Sequence, residues 1–266
     1  MAGPLTLLGC FAHPDDETWS MGGSFALLVP KGVRGAVWTA TRGQAGEIAD
    51  GSGATRETLA EVREAEERAA MAALGVTEVE FGDFVDGRVA DADPAELVRA
   101  VLGALERVRP DVVVTMESGG VTSHPDHVAV SAAVRAAFAA WLEGPREREP
   151  RLYHWGIPAS QLKRFREVAA EQGAEIPGED EPFGPRGTPD ERFTCWVDTS
   201  AVAERIWRAL QAHRTQSGDP SRALLRQDDR WREVFATTAF VRVHPAPRPG
   251  DPHEASLVEA FTAGSD

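Results

Sequence analysis

The first half of the chain alternates short apolar runs with longer segments in which apolar residues recur every three to four positions. The short runs predict β-strands and the longer segments predict α-helices. The predicted strands are Leu5–Cys10, Gly35–Thr39, Glu78–Phe81 and Asp111–Met116. The predicted helices are, to within a few residues, Thr18–Val29, Arg56–Leu74, Pro94–Val108 and Pro125–Trp141. This alternation indicates an α/β fold with a mainly parallel sheet.

The second half of the chain is less regular. Apolar runs predict further strands at Leu152–Ile157, Phe193–Val197 and Ala236–Val243, with a helix from about Thr199 to Arg214. The stretch 173–192 contains four glycines and four prolines among many acidic residues. That composition predicts an irregular loop.

The two halves are expected to belong to one domain. We predict that residues 1–145 form a Rossmann-like, three-layer core that carries the site. Residues 146–244, including the irregular loop 173–192, are expected to complete the same domain as a smaller C-terminal portion over the active-site crevice. The proline-rich stretch 245–266 is expected to be a flexible tail.

Charge and cysteine content narrow the classes of function. The 266 residues carry 28 basic and 42 acidic side chains, a net charge of −14. Phosphate-backbone affinity needs concentrated Lys and Arg, so this balance argues against nucleic acid and against an anionic membrane surface. The run Leu7–Cys10 lacks the basic and long apolar regions of a leader peptide, and a first strand explains it better. We expect a cytoplasmic protein with reduced thiols at Cys10 and Cys195.

Two similar motifs carry the candidate chemistry. Ala12–Glu17 reads Ala-His-Pro-Asp-Asp-Glu and follows the first predicted strand, and Ser123–His127 reads Ser-His-Pro-Asp-His and follows the fourth. Both motifs precede a predicted helix. Open α/β sheets gather their ligands beyond the carboxyl ends of parallel strands, so two neighbouring strands would bring these loops to one crevice.

A structural explanation of the motifs is weaker than a chemical one. An aspartate after proline commonly caps a helix, and a lone histidine is often a hydrogen-bonded structural residue. Capping does not explain three histidines and three aspartates at two helix starts. Two histidines and a carboxylate suit catalytic Zn²⁺, which keeps a fourth position open. The same set fits non-haem Fe²⁺, so ligand type leaves both metals open.

The motifs His13–Glu17 and His124–His127 resemble those of the PIG-L/LmbE family of zinc-dependent N-deacetylases, to which the deacetylases of bacillithiol and mycothiol biosynthesis belong. Thr41–Glu47 is similar to the family's turn after its second strand, and His213–Gln216 resembles a late motif of the thiol-biosynthetic members. The resemblance covers most of Leu5–Phe240.

The resemblance implies a role for each residue of the two motifs. It implies three metal ligands: His13, Asp16 and His127. Asp15 would be the general base that takes a proton from water. His124 would stabilise the oxyanion or protonate the departing amine, and Asp126 would orient a histidine.

The resemblance also places three residues near the sugar or its attached group: Ser20, Arg63 and Asp86. Structural alternatives stay open for two of them. Arg63 could be an ordinary salt-bridging helix residue, and Asp86 could simply form a turn. His213 is expected to be structural or to line the site.

The preferred function is metal-dependent hydrolysis of the N-acetyl group of an amino sugar or a similar small polar N-acetylated molecule. An amidase that cleaves a larger acyl group is the alternative within the family. A non-haem Fe²⁺ enzyme and a non-catalytic sugar-binding module are alternatives from other classes. The expected partner is a small-molecule substrate, and the sequence leaves a homo-oligomer open.

Overall fold

The computed structural model of the chain describes residues 3–171, 173, 175–218 and 231–262. Nine strands are present among these residues: β1 Thr6–Phe11, β2 Arg34–Thr39, β3 Glu78–Phe81, β4 Val112–Met116, β5 Arg151–Trp155, β6 Ile157–Pro158, β7 Gly187–Thr188, β8 Cys195–Asp198 and β9 Thr237–His244. The helices that bear on the site are α1 Asp16–Leu28, α2 Leu59–Leu74, α3 Pro94–Val108, α4 Gly120–Ser123, α5 Pro125–Trp141, α6 Ala159–Glu171 and α7 Ala203–Ala212.

Seven strands form one sheet in the order β3-β2-β1-β4-β5-β9-β8, and β6 and β7 form a small second sheet. The first five strands of the chain are parallel to one another, and β9 is antiparallel to both β5 and β8. The chain moves outward from β1 through β2 to β3 and then returns to pair β4 with the other side of β1. The β1–β4 boundary is therefore a topological switch point, where such sheets bind ligands.

Helices cover both faces of the sheet, because successive residues of a strand point to opposite faces. In β1, Leu7 and Phe11 pack with Phe25 and Met71 on the side of α1 and α2. Leu8 and Cys10 belong to the other core cluster, on the side of α3 and α5. The predicted α/β fold with a mainly parallel sheet and three layers is confirmed.

Several boundaries differ from the sequence-based expectations. The expected strand Leu152–Ile157 divides at Gly156 into β5 and β6, which belong to different sheets. Helix α6 was not predicted. The helix expected over 199–214 begins as a 3₁₀ turn at Ser200–Val202 and continues as α7. Among the described residues, no helix has the length and apolar character needed to cross a bilayer.

The segment after β9 does not fray as predicted. Glu254 is buried and accepts hydrogen bonds from Tyr153 Oη at 2.8 Å and from Arg242 Nη1 at 2.7 Å, and it pairs with Arg151. Leu257 is fully buried in the core. The expectation of a flexible tail from residue 245 is therefore wrong as far as residue 262, because a buried ion-pair cluster fastens this segment to β5 and β9.

Candidate active site

The two histidine motifs meet at the switch point. The register pairs Leu7 of β1 with Val112 of β4 and Gly9 with Val114, so the loops that follow these strands lie side by side. They open into a cavity of about 890 Å³ that is lined by five residues of the two motifs: His13, Asp15, Asp16, His124 and His127. The crevice expected between the two motifs is present.

Two carboxylates hold the imidazole of His13 from behind. His13 Nε2 lies 3.2 Å from Asp126 Oδ2 and 3.0 Å from Asp86 Oδ1. Asp126 is itself fully buried and accepts hydrogen bonds from the backbone N–H groups of Gly87 and Val89, at 2.7 and 3.0 Å. A neutral His13 therefore donates from Nε2 and turns the lone pair of Nδ1 away from these carboxylates. Such orientation of a ligating histidine by carboxylates is common at metal sites.

The imidazole of His127 is oriented in a complementary way. Its Nδ1 lies 3.0 Å from the carbonyl oxygen of Gly120, so this nitrogen donates and Nε2 carries the lone pair. His127 Nε2 lies 3.0 Å from His13 Nδ1 and 3.5 Å from Asp16 Oδ1. His13 Nδ1 is 3.8 Å from Asp16 Oδ2. Two imidazole lone pairs and a carboxylate thus face one point.

This donor set fits a divalent metal ion. Ligands bound at about 2.0–2.1 Å in a tetrahedron lie about 3.3 Å apart. His13 Nδ1 and His127 Nε2 are 3.0 Å apart, and Asp16 offers Oδ2 to His13 at 3.8 Å and Oδ1 to His127 at 3.5 Å. Lone pairs that face each other at 3.0 Å repel unless a cation lies between them. That cation can be a proton or a metal ion. The carboxylates around the two histidines favour the binding of either one.

The pKa values reflect this competition for a cation. Burial by itself would lower the pKa of His13, but its hydrogen bonds to Asp126 and Asp86 outweigh burial and raise the pKa to about 10. Burial and the neighbouring charge of His13 lower the pKa of His127 to about 4. Burial also raises the pKa of Asp16 to about 7. His13 therefore binds a proton much more readily than His127 does.

Other groupings of ligand atoms are present in the same place. His13, His124 and His127 can each bring a nitrogen within 4.8 Å of the others, as can His13 with the oxygens of Asp86 and Asp126. Asp126 is a poor candidate ligand, because His13 and two backbone N–H groups already occupy its oxygens. His124 points its Nδ1 at the backbone N–H of Asp126, 3.2 Å away. The assignment of His13, Asp16 and His127 as the three ligands stays a prediction.

Asp15 has an unusual backbone conformation. Its φ of 100° lies in a region that L-residues rarely adopt. The backbone N–H donates to Glu17 Oε2 at 2.9 Å and to Glu67 Oε2 at 3.2 Å. Arg63 Nη2 lies 3.8 Å from Asp15 Oδ2 and donates to the Pro14 carbonyl at 2.6 Å. These contacts hold the carboxylate of Asp15 at the cavity wall, beside the predicted metal ligands.

His124 caps helix α5. Its Nδ1 accepts the backbone N–H of Asp126, so in the neutral imidazole the proton is on Nε2. Burial and the charge of His13 lower the pKa of His124 to about 4. The ring lies 4.8 Å from that of His13 and 4.9 Å from that of His127, measured between centroids. His124 therefore offers an N–H donor to the cavity next to the ligand cluster.

The three predicted substrate contacts have different positions. Ser20 is fully buried, is not among the residues that line the cavity, and donates its hydroxyl to the carbonyl of Asp16 at 2.7 Å. Arg63 lines the cavity but is 3% exposed and is bound to the carbonyls of Pro14 and Gly43. Asp86 lines the cavity and is held by His13 and the N–H of Ala45. The structure thus brings Arg63 and Asp86 to the site and leaves Ser20 behind it.

A second layer of buried residues lies behind Asp15, and nothing in the sequence indicated one of them, Glu67. Glu17, Glu67 and His213 are buried behind Asp15, and each can bring a ligand-type atom within 4.8 Å of the others. His213 Nε2 lies 3.6 Å from Glu17 Oε1. Thr215 donates its hydroxyl to Glu66 at 2.6 Å. The position of Glu17 next to Asp16 in the sequence could have indicated that Glu17 lies near the site. Its proximity to Glu67 on α2 could be learned only from the fold.

Together, the fold and the site define an α/β protein that collects imidazole and carboxylate groups at a sheet switch point. Comparison with known proteins gives this class a family. The family model described as PIG-L, GlcNAc-PI de-N-acetylase, matches residues 8–138. The 1D-myo-inositol 2-acetamido-2-deoxy-alpha-D-glucopyranoside deacetylase of Kribbella flavida is 32% identical over an alignment of 285 positions, which spans 92% of this chain and 93% of that protein. The chain belongs to the PIG-L family, as its motifs predicted.

Solved structures agree with the fold. The conserved protein TT1542 from Thermus thermophilus has a TM-score of 0.60 and 27% identity, and the likeness covers 93% of this chain and 99% of that one. A 4-carboxy-2-hydroxymuconate hydratase from Pseudomonas putida has a TM-score of 0.63 at 20% identity, over 92% of this chain and 98% of that one. The second likeness shows the fold alone. A hydratase on this fold means that the reaction must be argued from the site.

Proposed function

We propose that this chain hydrolyses the N-acetyl group of an amino sugar, with a zinc ion held by His13, Asp16 and His127. The observation that carries the proposal is the convergence of two imidazole lone pairs and a carboxylate beside Asp15, an acid with no place in that ligand set. A binding module would not need this second carboxylate. The names of the relatives, which are deacetylases of an acetamido sugar, support the same reaction.

A metal ion in this cluster would polarise the amide carbonyl and acidify a nearby water molecule. Asp15 accepts the proton from the attacking water at its carboxylate, which is the task of a general base. His124 donates a hydrogen bond from Nε2 toward the carbonyl oxygen as negative charge develops there. The proton that Asp15 has taken from water then passes to the departing nitrogen, which leaves as the amine. Asp126 and Asp86 keep the His13 ring in one orientation by accepting from Nε2.

The direct test is release of free amine from a panel of N-acetylated sugars by the purified, metal-loaded protein. We expect hydrolysis that is lost with a chelator and restored by zinc, together with about one divalent ion per chain. A parallel panel of longer N-acyl sugars distinguishes the amidase alternative. Hydrolysis that is indifferent to the chelator, in protein that contains no metal, would overturn the proposal. Restoration by Fe²⁺ and not by zinc would overturn the assignment of the metal only.

A further inference from the structure

Besides the predicted metal ligands, the lining of the cavity has a large apolar part. We call this part the apolar arm. Its walls come from α1, α6, the end of β5 and the loop after α6, and they are formed by Trp19, Trp155, Phe165, Val168, Ile176 and Phe235. A cavity of about 890 Å³ lies near the upper end of the range for sites that hold drug-sized ligands. The arm therefore has room for a group larger than one sugar ring.

The aromatic walls of the arm are supported from behind. Trp19 and Phe235 lie 5.5 Å apart between ring centroids. Phe165 packs both on the Trp231–Phe235 cluster and on Ala169 with Ile176. Arg164 and Glu233 also line the cavity but pair with each other at 3.0 Å, so their charges are mutually compensated. Gln161, Thr237 and Thr238 also line the cavity, but the side-chain amide of Gln161 already donates to the carbonyl of Thr237 at 3.3 Å. A polyhydroxylated group would therefore lose more hydration than these residues replace, whereas an apolar group would gain from burial.

Phe183 connects the arm with the reacting end. It is 56% exposed, one of three large apolar side chains exposed among the described residues. Its ring stacks on His124 with centroids 4.8 Å apart and an interplanar angle of 28°. Its φ of 58° is uncommon for an aromatic residue, and such outliers cluster at ligand sites. The loop thus presents an aromatic face directly above a residue of the site.

We propose, building on the deacetylase function proposed above, that the substrate is an N-acetylated amino sugar with an apolar aglycone, and that this aglycone occupies the apolar arm against Phe165 and Phe183. The acyl group to be removed is small, so the apolar group must be attached on the amine side of the scissile bond. This specificity differs from that for a wholly polar N-acetylated sugar.

The test compares kcat/KM for two N-acetylglucosaminides that differ only in the aglycone, methyl in one and phenyl in the other. With the metal-loaded wild-type protein we expect the phenyl glycoside to be preferred by about tenfold or more, the usual effect of an added apolar group that fills a pocket. Phe165→Ala should reduce this preference ratio to about two or three. Lys163→Ala, a change at an exposed residue of the same helix, should leave the ratio at its wild-type value.

Phe183→Ala is a second variant for the case in which Phe165→Ala fails to fold, because Phe183 is exposed. It should also lower the preference ratio. Equal kcat/KM for the two glycosides in the wild-type protein would overturn the apolar aglycone and leave the deacetylase function standing. A gain that appears only when the acetyl group is lengthened would overturn it too, in favour of a larger acyl group. Failure to hydrolyse either glycoside would overturn the proposed function and this inference with it.

Discussion

The backbone N–H of Asp15 lies 3.2 Å from a carboxylate oxygen of Glu67, a residue that is 52 positions later in the chain. Glu17 accepts from the same N–H at 2.9 Å. Burial, with the nearby charge of Glu17, raises the pKa of Glu67 well above its usual range. Two buried carboxyl groups are thus placed behind the proposed general base, and the backbone conformation of that base depends on them.

Glu67 should therefore act as a positioning residue for Asp15. Glu67→Ala should lower kcat by roughly 10², because small misplacements of a reacting group have effects of that size. Glu67→Gln should restore most of the rate, since its amide oxygen can still accept the N–H of Asp15 and its NH₂ group can donate to Glu17. Metal content should stay the same in both variants. Equal damage by Ala and Gln would show that Glu67 supports the fold rather than Asp15.

Asp15→Asn keeps the shape of the side chain and removes the proton acceptor. We expect turnover to fall by roughly 10²–10⁴, the usual contribution of a general base, while the protein retains its metal. The measurement is kcat beside elemental analysis on the same preparation. A variant that keeps both its metal and near-normal turnover would show that another group accepts the proton.

His124 and His127 should differ in what their loss removes. His127→Ala should sharply reduce metal affinity, because it takes away a nitrogen that faces His13 Nδ1 at 3.0 Å. His124→Ala should bind metal almost normally but lose turnover with little change in KM, because its contact with the carbonyl oxygen strengthens as charge develops. Metal content and kcat measured side by side decide the matter. A metal-free His124→Ala protein would mean that the two roles are reversed.

His154 on β5 should make stability fall in mild acid. Burial lowers its pKa to about 4, and its Nε2 has no hydrogen-bond partner within the described part of the chain. Between about pH 6.5 and pH 4 the unfolded state therefore binds more protons at this position than the folded state does. Lowering the pH from 7 to 5 should cost about 2 kcal/mol of the free energy of unfolding through His154 alone.

Urea unfolding at pH 7 and pH 5 tests this expectation. His154→Gln should shrink the difference between the two pH values relative to wild type, whatever it does to stability at pH 7. The metal-site histidines are common to both proteins and cancel in the comparison. An unchanged difference would show that His154 is protonated as readily in the folded protein as in the unfolded one.

Much of the fold could be predicted because its signals are local. The four parallel strands and their helices follow from apolar periodicity, and Asp93-Pro94 marked the start of α3 where its aspartate caps the Ala95 N–H. The tail could not be predicted in this way. Its ordered packing depends on the contacts of Glu254 with Arg151, 103 residues earlier in the chain, and with Arg242, 12 residues earlier. Contacts of this kind cannot be inferred from amino-acid composition.

The residues of the site also differ in whether a local sequence signal could reveal their positions. The meeting of His13, Asp16 and His127 in one crevice could be predicted from two short motifs at strand ends, since neighbouring strands bring such loops together. Ser20 could not be placed correctly, because the face of α1 that it occupies is buried and its hydroxyl serves the helix itself. Asp86 turned out to hold His13, and only the positions of both loops in space could reveal that contact.

Arg63 occupies the space beside two glycines. A Cβ on Gly43 would lie 2.2 Å from Arg63 Nη1, and one on Gly46 would lie 2.4 Å from the same atom. Gly43 also has a φ of 65°. These three positions therefore constrain one another as a single unit. A larger residue at Gly43 or Gly46 would force the guanidinium of Arg63 away from the Pro14 carbonyl, and this would disturb Asp15 without touching it. The two glycines and Arg63 must therefore be changed together if the rim of this cavity is redesigned.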